Sequence, residues 1–256
     1  LSYKTGDEYR ACARGRSTQF AVFLDSTGRA YSLLAHTLPS ARGQGGPLSG
    51  RLDPPDGATF PGVLIGEPAD RWVLASSAGY GFVVKLEDLH SRNRAGKAVL
   101  NVPDGYAAIA PAIVPPGDEP MLAAVNSEGR LLTFPVADLP ELPRGKGNKI
   151  FGISTRKSLV EPETLLAIAA VVPGQTLKVL CGDRAMGLSY KDMAEYRGER
   201  GQRGAVLPRG WRKVDGIEVD GGGERRHRAR DRRPGGAQRR RRRDRGAAPE
   251  QPDQGR

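Results

Sequence analysis

Arg144-Gly145-Lys146-Gly147-Asn148-Lys149 interleaves three cations with two glycines and an asparagine. Glycines let backbone amides come close to a surface and the cations supply charge, so the stretch has the chemical character of a phosphate-binding loop. Related boxes occur at Arg42-Gly43-Gln44-Gly45-Gly46-Pro47-Leu48, at Arg92-Asn93-Arg94-Ala95-Gly96-Lys97-Ala98 and from Arg197 to Gly204. One basic, glycine-rich loop is ordinarily a solvated turn. Four of the same charge sign at one register imply an extended anion track, and phosphates along a duplex are its natural partner, since such contacts fix position without reading bases. The candidate contact residues are Arg42, Arg92, Arg94, Lys97, Arg144, Lys146, Lys149, Arg197, Arg200 and Arg203.

Signatures of catalysis are missing. His36, His90 and His227 have no carboxylate or cysteine neighbours at metal-ligand spacing, and there is no Gly-x-Ser-x-Gly elbow. Gly145-Lys146-Gly147 lacks the Gly-x-x-x-x-Gly-Lys-Ser/Thr context of a nucleotide loop. Asp25, Asp88, Asp138 and Asp192 fall at repeat positions where turn or cap hydrogen bonding accounts for them. Cys12 and Cys181 are too few for a disulfide scaffold or a metal cage and fit buried, inert thiols in a reducing compartment. No catalytic residue, metal site, cofactor or small-molecule substrate is therefore expected in this segment.

The boxes need a scaffold, and the sequence between them repeats. Phe20–Leu24 reads as a strand, Asp25–Gly28 as a tight turn and Arg29–Leu33 as its hairpin partner. The same unit returns as Trp72–Ser76 with Gly81–Lys85, as Met121–Val125 with Arg130–Phe134, and as Leu177–Leu180 with Ala185–Leu188. Turn glycines Gly28, Gly79 and Gly129 are 51 and 50 residues apart. A period near 50 with about four short strands per unit is the signature of propeller-like blades. Val63–Ile65, Ala107–Ile109 and Leu165–Val172 supply further strands, a strand being favoured on context for the last, although Ala and Leu also suit a helix. The boxes are expected as loops on the rim. Tyr31, Trp72, Phe82, Phe134 and Trp211 lie at strand positions and read as core rather than base-stacking platforms.

Gly and Pro total 54 of 256 residues, which favours short strands and turns over long helices. Net charge is +11, but residues 221–256 hold 13 Arg against five acids, leaving 27 basic and 24 acidic residues before them. An anion site on that nearly balanced body must come from arrangement. The segment 221–256, with Arg239 to Arg243 contiguous, reads as a disordered basic tail. Its composition also matches a shifted reading frame in GC-rich DNA, which an intact mass would settle. The reading is thus all-β, with blades near 17–66, 67–118, 119–172 and 173–220, and the start, lacking Met, suggests a piece of a larger protein.

Val22-Phe-Leu-Asp-Ser-Thr-Gly-Arg, Leu38-Pro-Ser-Ala-Arg-Gly-Gln-Gly, Ala78-Gly-Tyr-Gly-Phe, Ser91-Arg-Asn-Arg-Ala-Gly-Lys-Ala, Arg144-Gly-Lys-Gly-Asn-Lys-Ile and Gly198-Glu-Arg-Gly together carry a resemblance over residues 1–220. The chain resembles the C-terminal DNA-binding domains of bacterial topoisomerase IV A subunits and, more distantly, of gyrase A subunits. The resemblance implies a β-pinwheel, an open ring of blades with duplex DNA on its outer edge, with Leu1–Arg16 closing a further blade. It also implies sequence-nonspecific DNA bending that presents crossings to a type IIA topoisomerase for decatenation and relaxation. The active-site tyrosine, ATP and Mg2+ would lie on other domains. Partners would be double-stranded DNA, an A-subunit homodimer, a condensin-like chromosome organiser and the B subunit of topoisomerase IV. The location would be cytoplasmic, at the nucleoid, with a peripheral association at the inner membrane. No intact gyrase-type Gln-Arg-Arg-Gly-Gly-Lys-Gly box is present, which favours topoisomerase IV. A gyrase A wrapping domain and a propeller that scaffolds proteins are the alternatives.

Overall fold

Four hairpins organise the chain, and local contacts close their turns. Asp25 Oδ1 accepts from the Thr27 amide, the Thr27 hydroxyl and the Arg29 amide, which fixes the first turn. Asn126 Oδ1 accepts from the Arg130 amide at the same place in the third turn. Gly28, Gly79 and Gly129, at φ 87°, 83° and 67°, supply the left-handed residue that ends the first three turns. The computed structural model describes residues 10–39, 45–154 and 162–221. Contacts divide the chain into residues 1–222 and 223–256. The second unit, and with it the expected disordered tail, lies outside the described residues, as do Arg42 and most of Leu1–Arg16.

Among the described residues there are strands and short 3-10 turns but no α-helix. The hairpins are β1 (Phe20–Leu24) with β2 (Arg29–Leu34), β4 (Arg71–Ala75) with β5 (Tyr80–Lys85), β8 (Met121–Asn126) with β9 (Arg130–Pro135), and β12 (Thr176–Cys181) with β13 (Arg184–Ser189). All four pairs are antiparallel, with registers such as Phe23 opposite Tyr31 and Leu74 opposite Phe82. An inner strand flanks each: β3 (Gly62–Leu64), β7 (Ala112–Ile113), β11 (Leu165–Val171) and β15 (Gly216–Asp220). The Leu165 run is therefore strand. Ala107–Ile109 contributes only a bridge, Ala108 to Ser76, and the strand lies at Ala112–Ile113.

In three of the sheets the fourth strand does not come from the sheet's own repeat. β6 (Lys97–Ala98), β10 (Asn148–Lys149) and β14 (Ala205–Val206) pair with β2, β5 and β9 of the preceding hairpin. The result is three four-stranded sheets and a three-stranded one. Expecting the boxes purely as loops thus needs correction: the second and third boxes end in a two-residue strand, and the fourth runs directly into one. The repeat in the sequence and the sheet in space are offset by one strand.

Apolar clusters join the sheets in series. Val22, Leu24 and Leu64 pack on Leu74, Phe82 and Val84 between the first and second sheets. Val73, Val83, Leu122 and Phe134 fill the space between the second and third, and Val125, Leu131, Leu177 and Val179 that between the third and fourth. None of the described clusters joins the fourth sheet to the first, so residues 10–221 form an open ring. Gly62 and Val63 of β3, Ile109, Ala110 and Leu166 of β11 line one cavity of about 640 Å³, which marks the inner edge. The box strands lie at the opposite edge.

Candidate nucleic-acid interface

Each box glycine before an exchanged strand is held left-handed: Gly96 at φ 70°, Gly147 at 73° and Gly204 at 69°. A Cβ on Gly96 would meet the Tyr31 ring at 2.6 Å, one on Gly204 the Leu131 carbonyl at 2.5 Å, and one on Gly147 would collide with the Gly81 carbonyl. These glycines bring the box against the preceding hairpin. The turn glycine of that hairpin then receives it: Gly28 O accepts from Val99 N and Leu100 N, both at 3.0 Å, and Gly79 O accepts from Ile150 N at 2.7 Å. Gly129 O accepts from Leu207 N at 2.9 Å. The two glycine periods in the sequence are the two halves of one joint.

Consecutive boxes also bond to one another. Asn101 N donates to Gly145 O and Gly145 N to Val99 O, both at 2.9 Å. Gly152 N donates to Gln202 O at 2.8 Å and Gly201 N to Ile150 O at 3.0 Å. Arg200 Nη1 donates to Lys149 O at 2.9 Å. Asp53 N donates to Arg94 O at 2.9 Å, which ties in the segment that follows the first box. The boxes from Arg92 to Val206 therefore form one hydrogen-bonded edge.

Arg92, Arg94, Lys97, Arg144, Lys146, Lys149, Arg197 and Arg203 are exposed on that edge, and Arg200 is half-buried. Their commitments differ. Arg92, Arg144, Lys149 and Arg197 make no side-chain hydrogen bond or ion pair among the described residues, although the Arg197 charge acts on Tyr190. Lys146 Nζ sits 3.9 Å over the Tyr80 ring, a cation–π contact that sets its height above the strand. Arg94 pairs with Asp53 at 3.3 Å, but both side chains are 61% exposed, so that bond is weak and exchangeable. Lys97 Nζ donates to Asp88 O at 2.6 Å. Arg203 is different in kind: its guanidinium meets the fully buried Glu163 carboxylate at 2.8 Å. Glu163 also accepts from the Asn126 side chain and from Ser154 N.

Arg29 and Arg130 were missed by reading charge in the boxes alone. Arg29 Nε donates to Ala95 O at 2.9 Å and Arg130 Nη1 to Gly204 O at 3.1 Å, so each clamps the box of the next repeat. Both directly follow a turn glycine, and that position was the available signal. Burial of the ring lowers the pKa of His90, beside the second box, with Lys97 also lowering it and Glu87 opposing. Burial, then the hydrogen bond its hydroxyl donates to Asp25 at 2.6 Å, raises that of Tyr31. Among the described residues no group of three or more His, Cys, Asp or Glu could hold a metal ion. No helix there is long and apolar enough to cross a membrane.

The fold and its rim are those of a gyrase A-type C-terminal domain, and the model of the DNA gyrase C-terminal domain, beta-propeller, matches residues 70–115 and 120–171. The chain is 54% identical over 220 residues to the A subunit of DNA topoisomerase 4 from Pseudomonas aeruginosa and 42% identical to its Escherichia coli K12 counterpart. Each match covers 86% of this chain and 29% of the relative, so the chain spans less than a third of the length of the relatives it matches. The structure of the E. coli ParC C-terminal domain superposes with a TM-score of 0.73 at 42% identity, covering 86% of this chain and 89% of that one. The chain belongs to the family of C-terminal domains of topoisomerase IV A subunits.

Proposed function

We propose that the box edge binds duplex DNA without sequence preference and bends it along the rim. Placed in the longer protein, it would hold DNA crossings for a type IIA topoisomerase acting in chromosome segregation. One observation carries this reading: the boxes are bonded to each other backbone to backbone, so their cations stand in a fixed series instead of on independent loops. A fixed series suits a polyanion of regular phosphate spacing, where preorganisation limits the ordering cost of binding. The inward-turned Arg203 and Arg200 hold the series, while Arg92, Arg144, Lys146, Lys149 and Arg197 face the duplex.

About two phosphates per blade over four blades gives roughly eight neutralised charges and a slope of log affinity against log salt of about −7. Bending a 20–30 bp segment costs about 1–6 kcal/mol, so the contacts support partial and not complete wrapping. Fluorescence anisotropy with a short duplex across a salt series tests this on the chain ending at Gly222. Charge reversal of Arg92, Arg144, Lys149 and Arg197 together should flatten the slope by about 3 to 4. An unchanged slope would place the DNA elsewhere. Ligation of nicked circles on the domain should trap little superhelicity. The whole enzyme's partners follow on the same footing: a chromosome-organising protein, a second copy of the longer chain, plus a B subunit, with ATP and Mg2+ bound outside this segment and the assembly at the nucleoid.

A further inference from the structure

Closure of the third joint gathers three arginines at one place. The Leu207 amide donates to Gly129 O, which seats the fourth box and the chain after it on the third hairpin turn. Arg130 follows that turn and stands opposite Val206, Arg203 precedes the left-handed Gly204, and the Arg212 backbone lies against Gly129. Ser127, Glu128, Arg130, Arg203, Val206 and Arg212 line one cavity of about 410 Å³. The two other joints hold no such trio. At the same three places the first has Arg29, Ala95 and Leu100, and the second has Tyr80, Lys146 and Phe151.

Each guanidinium is anchored by one donor and keeps others. Arg130 Nη1 donates to Gly204 O at 3.1 Å, Arg212 Nε to Leu207 O at 3.4 Å, and Arg203 Nη2 to Glu163 at 2.8 Å. A guanidinium carries several N–H groups, so these bonds fix the side chains without exhausting them. The Ser127 hydroxyl oxygen accepts from the Thr164 amide at 3.0 Å, which leaves its hydrogen to donate. Among the described residues Arg130 and Arg212 form no ion pair, and neither does Glu128, the one acid on the lining. Two uncompensated charges held by backbone carbonyls, with a third already shared with Glu163, suit an anion of more than one charge.

We propose that this cavity is a discrete anion site that holds one phosphate group between Arg130 and Arg212, with Arg203 and Ser127 as further donors. A phosphate brings more acceptor oxygens and more charge than a carboxylate, and it matches forked donors. Two sources supply that chemistry: a free phosphate or phosphomonoester, and the backbone of a duplex on the rim. Neither Arg130 nor Arg212 is a box cation, so the site can fail while the box edge still binds DNA, and the reverse.

Amide NMR of the full 256-residue chain, titrated with inorganic phosphate at constant ionic strength and without DNA, tests it. The expected result is saturable shifts centred on Gly129, Arg130, Gly204 and Leu207, with none from acetate. Arg212→Gln should weaken phosphate binding about tenfold. Glu128→Gln removes the opposing charge and breaks no ion pair, so it should tighten binding about two- to fivefold. Circular dichroism and melting verify folding, and the Glu128 variant carries the test if the Arg212 variant melts early. A short duplex that displaces phosphate, and whose salt slope falls by about 1 in Arg212→Gln, identifies a backbone phosphate as the occupant. A duplex that leaves phosphate in place while phenyl phosphate displaces it identifies a monoester. Shifts that never saturate, that acetate reproduces, or that neither variant alters overturn the proposal.

Discussion

Arg203 and Arg144 carry the same charge in neighbouring boxes and do opposite work. Arg203 neutralises a carboxylate with no solvent exposure, and Arg144 is exposed with no side-chain partner among the described residues. Arg203→Ala would leave Glu163 charged and buried with only the Asn126 side chain and the Ser154 amide, a loss of about 2 kcal/mol because the arginine itself is half exposed. Urea denaturation should show that loss while the salt slope of DNA binding changes little. Arg144→Ala should do the reverse. His90 gives a pH signature. Its folded pKa lies below the ordinary value near 6.5, so the unfolded chain takes up the proton first. Its contribution is complete above about pH 6.5 and declines as pH falls below that toward the folded value. Melting temperature followed from pH 8 to 5 should drop less in His90→Gln than in the parent.

At the scale of the element, the exchanged strand makes the box glycines structural. Gly147→Ala must strain a left-handed backbone and displace the Gly81 carbonyl, so it should destabilise by more than about 2 kcal/mol and disturb the second sheet, not the third to which its repeat belongs. Gly105→Ala is the control: its φ is 80° but nothing lies within 4 Å, leaving about 1 to 2 kcal/mol of backbone strain alone. Amide exchange at Gly81–Val84 reads the difference. The hairpins were legible because short, continuous apolar runs flank a glycine-bearing turn, two of these turns starting with Asp25 or Asn126. The exchange was not. Lys97–Ala98 or Asn148–Lys149 is two polar or small residues, too short for any periodicity, and its partner lies some 70 residues upstream. β15 was missed for a related reason: Gly216-Ile217-Glu218-Val219-Asp220 adjoins the Arg-rich segment, which dominates the local composition.

For the whole molecule, composition alone misdirects, since most of the +11 net charge belongs to residues 221–256 and not to the ring. Removing residues 223–256 should weaken DNA binding by a sequence-independent factor. It should leave the effect of the four-residue charge reversal intact, which separates bulk attraction from a fixed series. Among the described residues, four of the ten candidates make no side-chain hydrogen bond or ion pair, Lys146 rests on Tyr80, and Arg42 lies outside them. Spacing located the boxes but could not tell an outward arginine from one turned toward Glu163, because that carboxylate is 40 residues away. The exchanged strands also decide how the ring bears load. A pull on one box acts through its strand on the preceding sheet and through Gly145 or Gly201 on the adjoining box. Tension at any single point on the rim is shared between neighbours, as in a laced seam, so the blades should yield in adjoining pairs under force and not singly.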